Sequence, residues 1–305
     1  MTNAKTQQTV GVIGLGSMGL GVARSLQRAG FTVYACDLRA ASIEAFAAEG
    51  GIGCASSAEL AGKVSALIVL VVNAEQTEMV LYGPGGAVAH LGKGSVVIVS
   101  STVPPYFAQA LGERLAADGM HMIDAPVSGG VARAANGTMT VMAAGAAEAF
   151  ELTHEIFSAI AEKVYRLGEK PGEGSKVKMI NQLLAGVHIA AAAEAMALGI
   201  KAGVDPKMLY EVISNSAGSS WMFQNRVPHI LAGDYTPLSA VNIFVKDLGI
   251  VLDSARKATF PLPLTAAAHQ LFLMAAAAGH GGEDDSAVIK VFQELTGITL
   301  PGEAS

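Results

Sequence analysis

Residues 10–19 read Val10-Gly11-Val12-Ile13-Gly14-Leu15-Gly16-Ser17-Met18-Gly19. An apolar run leads into three glycines with the spacing G-x-G-x-x-G, and a segment of helical composition follows. This order predicts a strand, a turn and a helix. Gly14 permits the tight turn, Gly16 lets the backbone approach a pyrophosphate, and Gly19 allows close packing of the helix on the strand. Amide groups at the helix start would face the phosphates. Residues 14–19 therefore predict a dinucleotide site, against the alternative of a structural turn.

The residue that ends the second predicted strand bears on which dinucleotide binds. Asp37 follows the apolar run 32–36, where a carboxylate can accept hydrogen bonds from the adenosine ribose hydroxyls and repel a 2′-phosphate. Arg39, two residues later, could pair with such a phosphate, so Asp37 favours NAD whereas Arg39 favours NADP. We expect NAD as the cofactor in preference to NADP.

The rest of the chain divides into two patterns. Up to about residue 170, short β-branched runs alternate with helical segments, and runs such as 67–72 are apolar throughout, as strands covered on both faces are. From residue 175 to about residue 202 the chain reads as one long helix, and further helical segments follow it. The prediction is an α/β Rossmann domain with a doubly wound, mostly parallel sheet (1–170), joined by the long helix to an all-helical domain (171–305).

Composition narrows the class of protein. The 305 residues are 51% hydrophobic and 15% charged with a net charge of −6, which excludes disorder and offers no basic footprint for nucleic acid or an anionic membrane. The longest charge-free run, 258–282, contains two prolines and two histidines, so we interpret it as a buried helix rather than a membrane span. The two cysteines fit a reducing compartment, and we expect a cytoplasmic protein. The seven histidines show no metal-binding spacing, so no metal is expected.

Polar groups follow two later strands of the predicted sheet. Thr102 closes a strand whose carboxyl end lies where ligands bind in this architecture, although its hydroxyl could equally cap the next helix. Ser128, Gly129 and Gly130 follow another strand, and their successive amides can form a concavity suited to a carboxylate. A plain turn would explain the glycines too.

Lysines within helical segments are the candidate acid/base groups. Lys178, Asn181 and Gln182 are spaced i, i+3, i+4 and share one face of the long helix. Lys178 lies near the helix start, where the dipole disfavours a cation, and a lysine placed at such a cost is a candidate acid or base. The alternative is a lysine that covers a domain junction. Lys246, next to Asp247, has the ordinary interpretation of a surface ion pair.

Four ordered motifs, at residues 14–19, 124–130, 172–182 and 246–248, resemble the β-hydroxyacid dehydrogenase family, which includes 3-hydroxyisobutyrate dehydrogenase and tartronate semialdehyde reductase. The resemblance covers nearly the whole chain. It implies that Lys178 is the catalytic acid/base and that Thr102 and Lys246 approach the cofactor. It also implies that Ser128, Gly129, Gly130 and Asn181 hold the substrate, with Gln182 beside them, where many members have Asn and the amide reach differs.

Within the family the resemblance is greatest to the branch that oxidises L-threonate, partly from residues 218–221 and 243–248. It implies NAD-dependent oxidation of a small hydroxy acid, with Lys178 taking the hydroxyl proton. The alternatives are 3-hydroxyisobutyrate or tartronate semialdehyde as substrate, a cofactor-binding scaffold that has lost catalysis, and a methyltransferase, which the helical second half disfavours. The long helix and the apolar helical half predict a homodimer or homotetramer. Trp221, Met222, Phe223 and Phe244 either shape the pocket or belong to the core.

Overall fold

A computed structural model describes residues 8–302 and divides the chain into two compact units, the first ending at Lys178 and the second beginning at Met179. Nine strands of the described chain form one sheet in unit 1, in the order β3-β2-β1-β4-β5-β6-β8-β7, with β9 paired to β8. The strands are β1 (Thr9–Ile13), β2 (Thr32–Cys36), β3 (Ile52–Gly53), β4 (Ala66–Val69), β5 (Val96–Val99), β6 (His121–Asp124), β7 (Val127–Ser128), β8 (Met139–Ala144) and β9 (Ala161–Gly168).

The sheet is parallel from β3 to β6 and becomes mixed at β8, which runs antiparallel to β6 and β7. Eight helices lie between successive strands or groups of strands along the described chain, and most of them are the crossovers that parallel pairing requires. They are α1 (Gly19–Arg28), α2 (Ala40–Ala48), α3 (Ser57–Ala61), α4 (Ala74–Tyr82), α5 (Pro105–Ala117), α6 (Gly130–Asn136), α7 (Ala147–Leu152) and α8 (His154–Ile160). The strand order reverses between β1 and β4, which is the point where ligands bind in open α/β sheets.

Alternate residues of each central strand enter two different hydrophobic cores. Ile68 packs with Val12 in one core, whereas its neighbours Leu67 and Val69 belong with Ile13 to the other. A strand alternates its side chains between the two sheet faces, so the sheet is covered on both sides. The predicted doubly wound, mostly parallel architecture of the N-terminal half is confirmed.

Unit 2 is helical in its described part. A long helix, α9 (Glu173–Lys201), begins in unit 1 and continues into unit 2. It is followed by α10 (Pro206–Ser214), α11 (Trp221–Ala232), α12 (Val241–Lys257), α13 (Pro263–Ala275) and α14 (Lys290–Thr296), with a π turn at Ala276–His280 and a 3-10 turn at Asp285–Ile289. Phe244 and Phe272 stack at the centre of this core with ring centroids 5.2 Å apart.

Helix α9 is, within residues 8–302, the one helix whose length and apolar composition would suffice to cross a membrane. A core helix of a globular domain passes the same test. Ile189, Ala193 and Met196 of α9 are buried in the core of unit 2. The charge-free run 258–282, interpreted above as a buried helix, contains α13, whose Phe272 and Ala275 are fully buried in the same core.

The boundaries differ from the sequence pattern in a few places. The unit boundary after Lys178 lies eight residues beyond the predicted 170, because the first turns of α9 are hydrogen bonded to unit 1. The segment 147–160 has helical composition throughout but forms two helices that meet at Thr153, whose φ of −116° and ψ of 9° lie outside the helical region. The short elements β3, β7, α3 and α6 were not predicted, since each has too few residues to show a period.

Candidate active site

In the glycine-rich turn after β1, each of the three glycines lacks a side chain for a different structural reason. Gly14 has a φ of +97°, and a Cβ there would lie 2.4 Å from the carbonyl oxygen of Leu70. A Cβ on Gly19 would lie 1.8 Å from the Gly14 carbonyl oxygen, whereas one on Gly16 would meet nothing within 4 Å. Helix α1 begins without a side-chain cap, because Met18 at the N-cap offers no hydrogen bond. The turn thus leaves open space over Gly16 and uncapped amides behind it, as a pyrophosphate needs.

Asp37, at the end of β2, faces this turn. Its Oδ2 accepts a hydrogen bond from the Leu15 amide at 2.7 Å, and its Oδ1 accepts from the Arg39 amide at 2.9 Å. Partial burial would raise the pKa of Asp37, but the Arg39 and Leu15 amides and the Arg39 guanidinium lower it below its ordinary value. The structure therefore brings an ionised carboxylate to the turn, with Arg39 folded against it.

A hydrogen bond to a serine hydroxyl links the segments that follow β4 and β5. Ser101, which is buried, accepts a hydrogen bond from the Val71 amide through its Oγ at 3.0 Å. The Ser100 amide donates to the Val69 carbonyl and continues the ladder. Thr102, the predicted cofactor contact, is half-buried one residue further on, at the carboxyl end of the strand. Ser101 thus has a structural role, and the cofactor contact at Thr102 stays a prediction.

Asp124 is fully buried at the end of β6 and anchors the start of α9. Its Oδ2 accepts from the amides of Gly172 and Ser175, both at 2.8 Å, and its Oδ1 accepts from the Ser175 hydroxyl at 2.7 Å. Burial raises the pKa of Asp124, and the hydrogen bonds from Ser175, Gly172 and Gly174 oppose that rise. Sequence reasoning assigned Asp124 no role. The available signal was an acidic residue closing an otherwise apolar strand.

Lys178 follows this anchor by one turn and is buried, with 7% of its surface exposed. Its Nζ donates a hydrogen bond to the Val127 carbonyl at 2.8 Å. The structure therefore brings the predicted acid/base to the segment that carries Ser128, Gly129 and Gly130. Gly129 has a φ of +131° and Gly130 a φ of +73°, so both take conformations that favour glycine, and α6 begins at Gly130.

In unit 2, four polar side chains form one connected group. Gln182 of α9 donates through Nε2 to Oδ2 of Asp247 on α12 at 2.5 Å, and Asn181 donates through Nδ2 to Oε1 of Gln182 at 3.0 Å. Lys246 lies with its Nζ 2.7 Å from Oδ1 of Asp247. Asp247 was expected to form a surface pair, but only 2% of its surface is exposed. The structure thus brings together three residues of the predicted site, Asn181, Gln182 and Lys246, through a residue that sequence reasoning missed.

Other candidates lie apart from these groups. Met222, Phe223 and Phe244 are buried in the core of unit 2, whereas Trp221 is exposed. An open cavity of about 520 Å³, lined by Thr9, Lys63 and His90 among others, lies at the amino ends of the parallel strands, opposite the glycine-rich turn. Across residues 8–302, no group of three or more His, Cys, Asp or Glu side chains is arranged to hold a metal ion.

Two family models match consecutive parts of the chain. Residues 9–168 match the NAD-binding domain of 6-phosphogluconate dehydrogenase, and residues 172–292 match the model described as NAD-binding of NADP-dependent 3-hydroxyisobutyrate dehydrogenase. The first model ends with β9 and the second begins at the start of α9, so the two matches follow the change from sheet to helices. Together they cover nearly all of the described chain.

Among known proteins, the chain is 66% identical over 297 residues to the L-threonate dehydrogenase of Cupriavidus necator, covering 97% of this chain and 99% of that one. It is 52% identical to the L-threonate dehydrogenase of Escherichia coli K12, covering 97% of each. A crystal structure of 3-hydroxyisobutyrate dehydrogenase from Salmonella typhimurium matches with a TM-score of 0.89 at 51% identity, covering 93% of this chain and all of that one. The chain is accordingly an NAD-dependent oxidoreductase and a member of the β-hydroxyacid dehydrogenase family related to 3-hydroxyisobutyrate dehydrogenase.

Proposed function

We propose that this chain oxidises L-threonate to the corresponding 2-oxo acid, with Lys178 as the acid/base. The substrate assignment is supported by relatives of 50 to 66% identity that are named L-threonate dehydrogenase, whereas the mammalian 3-hydroxyisobutyrate dehydrogenases are 32% identical. The observation that carries the chemistry is the buried Nζ of Lys178, held 2.8 Å from the Val127 carbonyl beside Ser128. A buried amine next to a candidate carboxylate site is placed to act on a hydroxy acid.

The residues of the glycine-rich turn suit the pyrophosphate of NAD. The open space over Gly16 would be lost to any side chain, and Asp37 offers its carboxylate to ribose hydroxyls. Bound NAD supplies the acceptor for the hydride that leaves the carbinol carbon. We assign Thr102 and Lys246 as further cofactor contacts, as the family resemblance implies.

The chain's own residues then have separate tasks. The amides of Ser128, Gly129 and Gly130 bind the substrate carboxylate, because the positive φ of Gly129 and Gly130 lets successive amides form an anion-binding concavity. Nζ of neutral Lys178 takes the proton of the hydroxyl that is oxidised, and the Val127 carbonyl keeps Nζ in position. Substrate loses one hydride and one proton and becomes the 2-oxo acid. In the reverse direction the protonated Lys178 returns the proton.

A second substrate, 3-hydroxyisobutyrate, is favoured by the name of the Salmonella structure at 51% identity. Purified protein would be assayed by nicotinamide absorbance with NAD and NADP against L-threonate, D-threonate, D-erythronate, 3-hydroxyisobutyrate and glycerate. We expect efficient turnover of L-threonate with NAD. Turnover of 3-hydroxyisobutyrate alone would replace the first substrate with the second. No turnover of any compound by a protein that still binds NAD would overturn both and favour a cofactor-binding scaffold.

We also propose that the chain assembles as a homodimer or homotetramer in the cytoplasm. The support is a set of large apolar side chains on the helices of unit 2 that are at least about two-fifths exposed, including Leu198, Met208, Val212, Leu264 and Met274. Exposed apolar residues in such number are typical of an interface. Light scattering of the eluting protein should give two or four times the chain mass, and a monomer at micromolar concentration would contradict the proposal. Cell fractionation tests the compartment.

A further inference from the structure

The four connected polar side chains of unit 2, those of Asn181, Gln182, Lys246 and Asp247, lie next to a point where helices α9 and α12 pack closely. Gly186 of α9 lies against α12, and a Cβ there would be 2.8 Å from Leu248 and 3.0 Å from Phe244. This close approach brings Gln182, one turn before Gly186, within 2.5 Å of Asp247, one residue before Leu248. Both side chains are buried, so each must satisfy its polar atoms within the protein.

The chemistry of Asp247 fixes the orientation of the Gln182 amide. A carboxylate can only accept hydrogen bonds, so the NH₂ end of Gln182 must face it and the carbonyl end must face away. That carbonyl, Oε1, accepts from Nδ2 of Asn181 at 3.0 Å. The Asn181 amide is thereby oriented in turn, with its nitrogen toward Gln182 and its carbonyl oxygen, Oδ1, on the other side. In the described part of unit 2, no side chain or amide donates to that oxygen.

The second oxygen of Asp247 holds Lys246. Nζ lies 2.7 Å from Oδ1, an ion pair in which Oδ1 lacks a hydrogen bond of normal geometry. One carboxylate therefore holds a cation through one oxygen and an amide through the other. Asp247 therefore has two separate effects. Through Oδ2 and Gln182 it orients the Asn181 amide, and through Oδ1 it positions Lys246.

We infer that Asp247 and Gln182 are positioning residues that leave the carbonyl oxygen of Asn181 as a free acceptor, and that this acceptor selects hydroxy acids carrying a further hydroxyl. The inference rests on the proposed function and on the substrate contact that the family resemblance implies for Asn181. A hydroxyl beyond the oxidised carbon donates to Oδ1, whereas a methyl or methylene in its place leaves that oxygen unpaired and desolvated. Sites built to bind a hydroxyl reject analogues that lack it.

The experiment compares L-threonate with its two deoxy analogues, 2,4-dihydroxybutanoate and 2,3-dihydroxybutanoate of the same C2 configuration, at saturating NAD. The wild type should prefer L-threonate over at least one analogue by about 10- to 100-fold in kcat/KM. Gln182→Met keeps the length of the side chain and removes both hydrogen bonds, which frees the Asn181 amide to rotate. We expect this variant to lose about ten-fold of the preference, because KM should rise more for L-threonate than for that analogue.

A paired exchange distinguishes orientation from simple packing. In Gln182→Glu the two carboxylates repel, and the preference should fall as in Gln182→Met. In the double variant Gln182→Glu with Asp247→Asn, the amide on α12 can donate a hydrogen bond to the carboxylate on α9. The other oxygen of that carboxylate again faces Nδ2 of Asn181. The preference for L-threonate should return in this double variant. Glu194→Gln, an exposed change on the same helix, is the control and should match the wild type.

Three outcomes have distinct meanings. Loss of the preference in the single variants and its recovery in the double variant support the inference. An equal loss of kcat/KM on all three substrates, or no recovery, would overturn it and reduce the group to a packing role. A wild type that binds NAD but does not oxidise L-threonate would instead overturn the proposed function. The wild-type measurement therefore separates failure of the function from failure of the inference.

Discussion

Two buried carboxylates, one in each unit, bind different kinds of partner. In unit 1, Asp124 accepts hydrogen bonds from two backbone amides and a hydroxyl, and so fixes where the chain of α9 begins. In unit 2, Asp247 accepts a hydrogen bond from the side chain of Gln182 and forms an ion pair with that of Lys246. Backbone amides cannot turn to another partner without moving the chain, whereas side chains can. The same functional group therefore serves the fold in one unit and, in our proposal, the choice of substrate in the other.

The largest effect is expected at Lys178, which follows the Asp124 anchor by one turn. Lys178→Ala should lower turnover by about 10²- to 10⁴-fold, because the variant lacks the proposed acid/base. The dissociation constant for NAD should change little, since the glycine-rich turn and Asp37 are untouched. Stopped-flow or steady-state absorbance gives the rate, and fluorescence titration gives the affinity for NAD.

The matched control for this change is Lys176→Ala. Lys176 lies two residues earlier on α9, is exposed and pairs with Glu173 at the surface. We expect wild-type turnover from this variant. If Lys178→Ala keeps near-normal turnover, the assigned role is wrong, and Lys178 belongs with Asp124 among the groups that serve the fold.

The next effect concerns stability. Asp124→Ala should lower the free energy of unfolding by about 3 kcal/mol, because it leaves two buried amides without acceptors. Asp124→Asn should cost about 1 kcal/mol, since its carbonyl oxygen can accept from both amides while its NH₂ donates to the Ser175 hydroxyl. Urea unfolding of both variants measures the difference. Equal losses would mean that the hydrogen bonds to the backbone do not set the stability of this region.

The corresponding change in unit 2 should be milder. Asp247→Ala frees the side chains of Gln182 and Lys246, which can rotate toward other partners or water, so we expect a loss of about 1 kcal/mol. The same urea titration applies. A loss as large as that of Asp124→Ala would remove the distinction between a carboxylate that fixes backbone and one that fixes side chains.

Asp37 is an intermediate case, because it accepts from two backbone amides and also pairs with a side chain, Arg39. Asp37→Ser should raise the ratio of kcat/KM for NADP to that for NAD by about ten-fold, since the charge that repels a 2′-phosphate is lost. Arg39 is then released from its ion pair and can bind the phosphate. Adding Arg39→Ala should cancel part of the gain. An unchanged ratio in Asp37→Ser would show that the preference is set elsewhere.

The sequence could predict the groups whose geometry is local. The three glycines, Asp37 and Lys178 are specified by short spacings within one turn or one helix. In the structure the glycines form the turn after β1, Asp37 faces that turn, and Lys178 lies near the start of α9. The two carboxylate anchors were beyond prediction. Asp124 meets Ser175 across 51 residues and Gln182 meets Asp247 across 65, and such pairs depend on how helices and strands pack. Helix α6 was missed because the positive-φ glycines at its start, Gly129 and Gly130, are also typical of a turn.

The smallest effect is the pH dependence of stability from Asp124. Burial raises its pKa in the folded protein, so the folded state holds a proton more tightly than the unfolded state, whose pKa is near the ordinary 3.8. The contribution of Asp124 to the free energy of unfolding is therefore fully present below pH 3.8 and is lost as pH rises through the pKa of the folded state. The free energy of unfolding falls by no more than about 1.4 kcal/mol per pH unit in this range. Asp124→Asn does not titrate. The free energy of unfolding of the wild type minus that of Asp124→Asn should decline as pH rises above 3.8 and then level off. A difference that instead grows with pH would mean that the amides and Ser175 outweigh burial, so that Asp124 is held as a charge.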